Sequence, residues 1–113
     1  MENSFNELTA IEFNGKQVFT TNQIALHYGC TPKVMIDCFR RHKVDFIENV
    51  DYFHLVGEPL LNFKQGLKNQ QGLIAPSAAS LHLWTKFGAL KLSKFIGTDK
   101  AKAIYTQLAI DYF

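Results

Sequence analysis

The chain has 113 residues, 47% of them apolar, with ten Phe, four Tyr and one Trp and a formal net charge of +2. That length holds one domain, and the composition supplies a core of ordinary size while excluding a disordered or collagen-like chain. No stretch reaches the ~18 uninterrupted apolar residues of a membrane span, and Met1-Glu2-Asn3-Ser4 leads into no apolar run, so the expected location is the cytoplasm, with no signal peptide and no membrane partner.

Charge is unevenly distributed. Residues 31–44 set Lys33, Arg40, Arg41 and Lys43 against Asp37, a local +3, and residues 45–58 return to −4 through Asp45, Glu48, Asp51 and Glu58. From 62 to 102 there are seven lysines against Asp99. A small chain with two basic blocks separated by an acidic one is expected to present a polarised surface, although a solvated lysine-rich face satisfies the same counts. The two cysteines, Cys30 and Cys38, are too few for a disulfide scaffold, and the four histidines show no metal-ligand spacing, so neither a structural metal nor a cofactor is expected.

Along the chain, Ile11 to Phe19 places Asn14-Gly15, the strongest short turn signal, between two alternating runs, and predicts a β-hairpin. Thr20-Thr21-Asn22-Gln23 opens a helix through a capping box, with Thr20 as cap and Gln23 reaching back. Ile24, Ala25 and Tyr28 form its buried face, and Gly29 ends it in the left-handed conformation. Thr31 caps a second helix with Pro32 in its first turn, where the missing N–H costs nothing. Met35, Cys38, Phe39 and His42 line one face of that helix, and Lys33, Asp37, Arg40 and Arg41 the other. Tyr52 to Val56 reads as a strand and Leu81 to Thr85 as its partner, with His54 and His82 facing each other across the pair. Between them the polar stretch Lys64 to Gly72 is either a wing laid on nucleic acid or a surface loop. From Thr85 the period turns helical until near Gly97. A last helix runs from a Thr98/Asp99 cap with Ala101, Ile104, Tyr105, Leu108 and Tyr112 on one face.

Two short helices joined by a three-residue turn containing glycine have the helix-turn-helix layout. The expected fold class is α+β and winged helix-turn-helix-like: an N-terminal β-hairpin, two short helices, a two-strand wing and two C-terminal helices. In that layout Ala25 permits close helix crossing, Gly29 makes the turn, and Ile24, Cys30, Met35 and Cys38 share a small core. Thr31, Lys33, Val34 and Asp37 then lie on the N-terminal half of a recognition helix running from Thr31 to Lys43, the part that reaches base edges in the major groove. Arg40, Arg41 and Lys43 suit phosphates, and Lys64 and Lys68 would be carried by the wing. The competing reading is an αα-hairpin that merely packs, with Lys33–Asp37 and Asp37–Arg41 as pairs on a solvated face.

The chain resembles the small DNA-binding domain at the N-terminus of phage antirepressors, the KilA-N-related group often called the ORF-six-N domain. Asn14-Gly15-Lys16-Gln17-Val18-Phe19-Thr20-Thr21-Asn22-Gln23-Ile24-Ala25 carries the first part of the resemblance and Phe46-Ile47-Glu48-Asn49-Val50-Asp51-Tyr52-Phe53 the second. The third is Leu83-Trp84-Thr85-Lys86-Phe87-Gly88-Ala89-Leu90-Lys91, followed by Thr98-Asp99-Lys100-Ala101 and Asp111-Tyr112-Phe113. The resemblance implies a phage or prophage regulator, active in the bacterial cytoplasm and at the nucleoid, whose domain binds double-stranded DNA and usually precedes a separate C-terminal domain. It supplies no base-contacting positions, so the contact residues rest on the helix-turn-helix argument.

An enzyme is not expected. Both thiols fall at inward helical positions, no paired carboxylates recur, and no phosphate-cradling glycine loop or G-x-S-x-G is present. The serious rival to DNA binding is a protein-binding module that engages a phage repressor or another host or phage protein. The apolar C-terminal helix is a candidate surface for that partner or for a homodimer.

Overall fold

The computed structural model describes residues 11–66 and 79–112. Asn14 and Gly15, at φ 51 and 76, turn β1 (Ile11–Phe13) into β2 (Lys16–Thr20), which pairs antiparallel with Phe13 opposite Lys16. Two positive φ values in a two-residue loop match the right-handed twist of the flanking strands, as the Asn-Gly signal requires.

The chain then forms α1 (Thr21–Tyr28), α2 (Pro32–Arg41), a short 3-10 turn (Lys43–Asp45), β3 (Tyr52–Val56), α3 (Gly57–Gly66), β4 (Ser80–Trp84), α4 (Lys86–Ile96) and α5 (Asp99–Tyr112). The α1 capping box forms as expected: Thr20 Oγ1 accepts from Gln23 N at 3.1 Å, and Gln23 Oε1 accepts from Thr20 N at 2.8 Å. Thr85 caps α4 and Gly97 ends it in the left-handed conformation. Thr98 Oγ1 accepts from Ala101 N at 3.0 Å and donates to the Tyr28 carbonyl at 2.6 Å, tying the start of α5 to the end of α1.

The fold is α+β: the described residues form a four-stranded antiparallel sheet in the order β1-β2-β4-β3 with five α-helices. Alternation splits its side chains between two layers. Val18, Phe53, Leu55, Leu81 and Leu83 pack with Ile11, Phe13 and, from α3, Leu60 and Phe63. On the other face Phe19, Tyr52 and Trp84 join Ile24, Ala25, Tyr28, Met35, Phe39, Ala89, Leu92, Ala101 and Ile104 from α1, α2, α4 and α5.

Three expectations change. The strands expected to form a wing lie within the sheet, because Leu83 on one face of β4 and Trp84 on the other are both fully buried and demand cover on both sides. The polar stretch does not begin as a loop at Lys64. That residue belongs to α3, whose first turn tolerates Pro59 and whose Leu60 and Phe63, three apart, close over the sheet. From residue 67 onward the stretch, Lys68 included, lies outside the described residues. Finally, α2 ends at Arg41 rather than Lys43. His42 leaves the helix at φ −119 and ψ 22, and the following 3-10 turn returns Phe46 to the core, 5.2 Å from the Phe39 ring.

Candidate nucleic-acid interface

The turn Gly29-Cys30-Thr31 sets how α1 meets α2. Gly29 sits at φ 72, where a side chain would be strained, and its N–H and that of Cys30 return to the Leu26 and Ala25 carbonyls at 3.2 and 3.0 Å. Thr31 Oγ1 accepts from Val34 N at 3.2 Å, with Pro32 in the first turn. Thr31→Ala is expected to cost about 1 kcal/mol by leaving that N–H to water, read as a lower urea midpoint at unchanged slope.

One side of α2 is fastened. Met35, Cys38 and Phe39 are buried, and the Phe39 ring packs edge-on against Phe46, Tyr52 and Trp84 at 5.2, 4.8 and 5.2 Å. His42 stacks on Phe95 of α4 at 3.9 Å, which holds the end of the helix. The other side is open: Thr31, Lys33, Val34, Arg40, Arg41 and Lys43 are exposed and Asp37 is half-buried. Among the described residues neither Lys33–Asp37 nor Asp37–Arg41 closes to an ion pair, so the solvated-pair arrangement is not formed. Burial pushes the Cys30 and Cys38 thiols up, and the neighbouring Arg41 offsets part of the effect at Cys38.

Seven of the nine residues expected at the interface therefore gather on or just past one helix. Lys64 does not join them. It is half-buried on α3, which covers the opposite face of the sheet from α2. His54 and His82 are directly opposed across β3 and β4, as expected, and their rings stack at 4.4 Å. Burial, with the charges of His54, Arg40 and Lys43, holds His82 down to about 4. An unfolded chain takes up that proton first, near the ordinary value of 6.5, so stability is full above pH 6.5 and falls as pH drops towards 4. The melting temperature of His82→Gln is expected to fall less over that interval than that of the wild type.

The other conspicuous cluster joins α4 to the loop after α2. The Thr85 hydroxyl donates to the Val50 and Asp51 carbonyls at 2.9 and 3.2 Å and accepts from Gly88 N at 3.3 Å, while Thr85 N donates to the Asp51 carbonyl at 3.1 Å. The Asp51 carboxylate, 2% exposed, accepts from Ile47 N at 2.8 Å and pairs with Lys91, which also donates to the Asp45 carbonyl at 2.8 Å. Lys16 of the hairpin reaches the Asn49 carbonyl at 3.0 Å. Nearby, the Trp84 indole donates to Thr21 Oγ1 at 2.9 Å, and that hydroxyl donates to the His82 carbonyl at 3.2 Å. Sequence reasoning counted Asp51 among surface acids and missed this clasp; the available signal was its place in the run from Phe46 to Phe53.

These are the stretches on which the family resemblance rests. The chain matches the ORF6N domain over residues 8–95. It belongs to the ORF6N domain family. Neither a curated protein nor a solved structure matches it. The resemblance to the N-terminal domain of phage antirepressors thus holds, and the chain is a phage-associated regulatory domain of the ORF6N type. In this ORF6N domain the residues quoted for the resemblance mostly build the hairpin, the α1 cap and the clasp, whereas the exposed face of α2 lies outside all three stretches. No helix among the described residues is long and apolar enough to cross a membrane.

Proposed function

We propose that this ORF6N domain binds double-stranded DNA in a non-enzymatic, regulatory role, with α2 in the major groove and its basic end on the backbone. The observation that carries this reading is the asymmetry of α2: Phe39 locks one face into the core, while Lys33, Arg40 and Arg41, with Lys43 just beyond, project from the other. Ten residues span about 15 Å at 1.5 Å per residue, a length suited to the groove. Lys33 donates to guanine, Asp37 accepts from cytosine N4 and Val34 meets a thymine methyl, while Arg40, Arg41 and Lys43 engage phosphates. Thiols raised by burial favour this binding role over nucleophilic chemistry. A homodimer through α5, on which Tyr105 and Ile110 are exposed, would set two α2 helices about one DNA turn apart on a palindromic site.

A second reading, engagement of a phage repressor, draws support from the exposed apolar side chains Val44, Ile47 and Phe87. Fluorescence anisotropy with a random-sequence duplex pool, titrated at several salt concentrations, separates the two. Binding that weakens steeply with salt supports the DNA reading, because each phosphate contact releases counterions. Absence of duplex binding even at low salt removes it and leaves the protein partner.

A further inference from the structure

The sheet surface beside the end of α2 carries a histidine pair that lies outside the proposed recognition helix. His54 and His82 are a cross-strand pair whose rings stack at 4.4 Å and 11°, on the same face of the sheet as Tyr52 and Trp84. The His82 ring also meets Phe39 at 5.4 Å, which places it against the last turns of α2. His54 is exposed and His82 half-buried, so one ring is open to solvent while the other is fixed by its neighbours.

We propose that His54 and His82, together with Arg40 and Lys43, form a phosphate-binding site that takes one phosphodiester of the duplex backbone flanking α2. This rests on the DNA reading above and adds a sheet-borne contact to it. The charges acting on His82 are those of Arg40, Lys43 and His54. From α1, the Thr21 hydroxyl donates to the His82 backbone carbonyl and accepts from the Trp84 indole. From β3, the Tyr52 ring lies 5.9 Å away, and burial keeps its phenol above the usual range and therefore neutral. Glu48 and Asp51 act on Tyr52, and Asp51 is already paired with Lys91. Among the described residues the charges acting on His82 are thus all basic, an arrangement that disfavours its protonation until an anion arrives. A divalent cation would meet the same Arg40 and Lys43 charges and is disfavoured; a phosphate oxygen accepts from the imidazoles and relieves the repulsion. Phosphate binding and proton uptake are therefore coupled, and duplex affinity rises as pH falls.

The test uses the same duplex pool at constant ionic strength, together with imidazole resonances followed by NMR. Wild-type affinity is expected to rise about tenfold from pH 7.5 to 5.5, one proton being taken up per site. His54→Gln, at an exposed position that leaves the core intact, is expected to reduce that rise to about twofold or less. Duplex addition should move the His54 and His82 resonances towards the protonated form. Equal pH dependence in wild type and His54→Gln, with unmoved resonances, overturns this site while leaving the DNA reading standing. Failure of the wild type to bind any duplex overturns both. Resonances that move with inorganic phosphate and not with the duplex assign the same chemistry to a free anion and overturn its placement on the backbone.

Discussion

Gly88→Ala is expected to destabilise the domain by about 4 kcal/mol or more, a large share of the 5–15 kcal/mol that holds a typical domain together. A Cβ at position 88 would stand 2.8 Å from the Asp51 carbonyl carbon and overlap the carbonyl oxygen. The clash is with backbone, so no rotamer change relieves it. Asp51 cannot retreat either: its carbonyl accepts from Thr85 N and its carboxylate is held by Ile47 N and Lys91. Either the first turn of α4 lifts off or the clasp opens, and either outcome exposes Trp84, which is fully buried. Thermal unfolding followed by circular dichroism measures the loss. Gly66→Ala is the control, because a Cβ there meets nothing within 4 Å, and its stability should stay within about 0.5 kcal/mol of wild type. An unchanged melting temperature in Gly88→Ala would refute the close approach.

The double variant Arg40→Ala/Arg41→Ala is expected to bind duplexes of every sequence roughly 10- to 100-fold more weakly near 0.1 M salt, with the salt slope reduced by about two. Both side chains are exposed on α2, so stability should change by about 0.5 kcal/mol or less. Lys33→Ala and Asp37→Ala should instead redistribute preference among duplexes, since these residues sit where base edges are read. If the double variant binds as wild type does while remaining folded, the basic end of α2 is not a phosphate contact. Silence at all four positions would shift the function to the exposed apolar surface at Val44, Ile47 and Phe87.

These two variants divide the molecule along a line that also governs how much of it can be read in advance. The clasp and the core contain most of what marks the family, and substitutions there act on folding. The basic face of α2 lies outside those stretches and carries the proposed contacts, so substitutions there act on binding with the fold intact.

The sequence by itself determined the elements whose physics closes within a few residues. Asn14-Gly15 makes its turn, Thr20 and Gln23 close their capping box, Gly29 turns α1 into α2, and Thr31, Thr85 and Thr98 accept from the N–H three residues on. Each such bond is decided by neighbours in the chain, and period-two alternation likewise sufficed to oppose His54 and His82. Only the tertiary structure decided what depends on distant cover. Leu83 and Trp84 draw β4 between β2 and β3 because both faces of that strand must be buried, which makes the pair part of the main sheet. Leu60 and Phe63 gain a helix only by having a sheet face to close, and that places Lys64 on the far side from α2. Asp51 ceases to be a surface acid because Lys91, forty residues away, neutralises it where Gly88 lets the backbones meet. Short-range hydrogen bonding is local and legible, whereas burial is a property of the assembled layers.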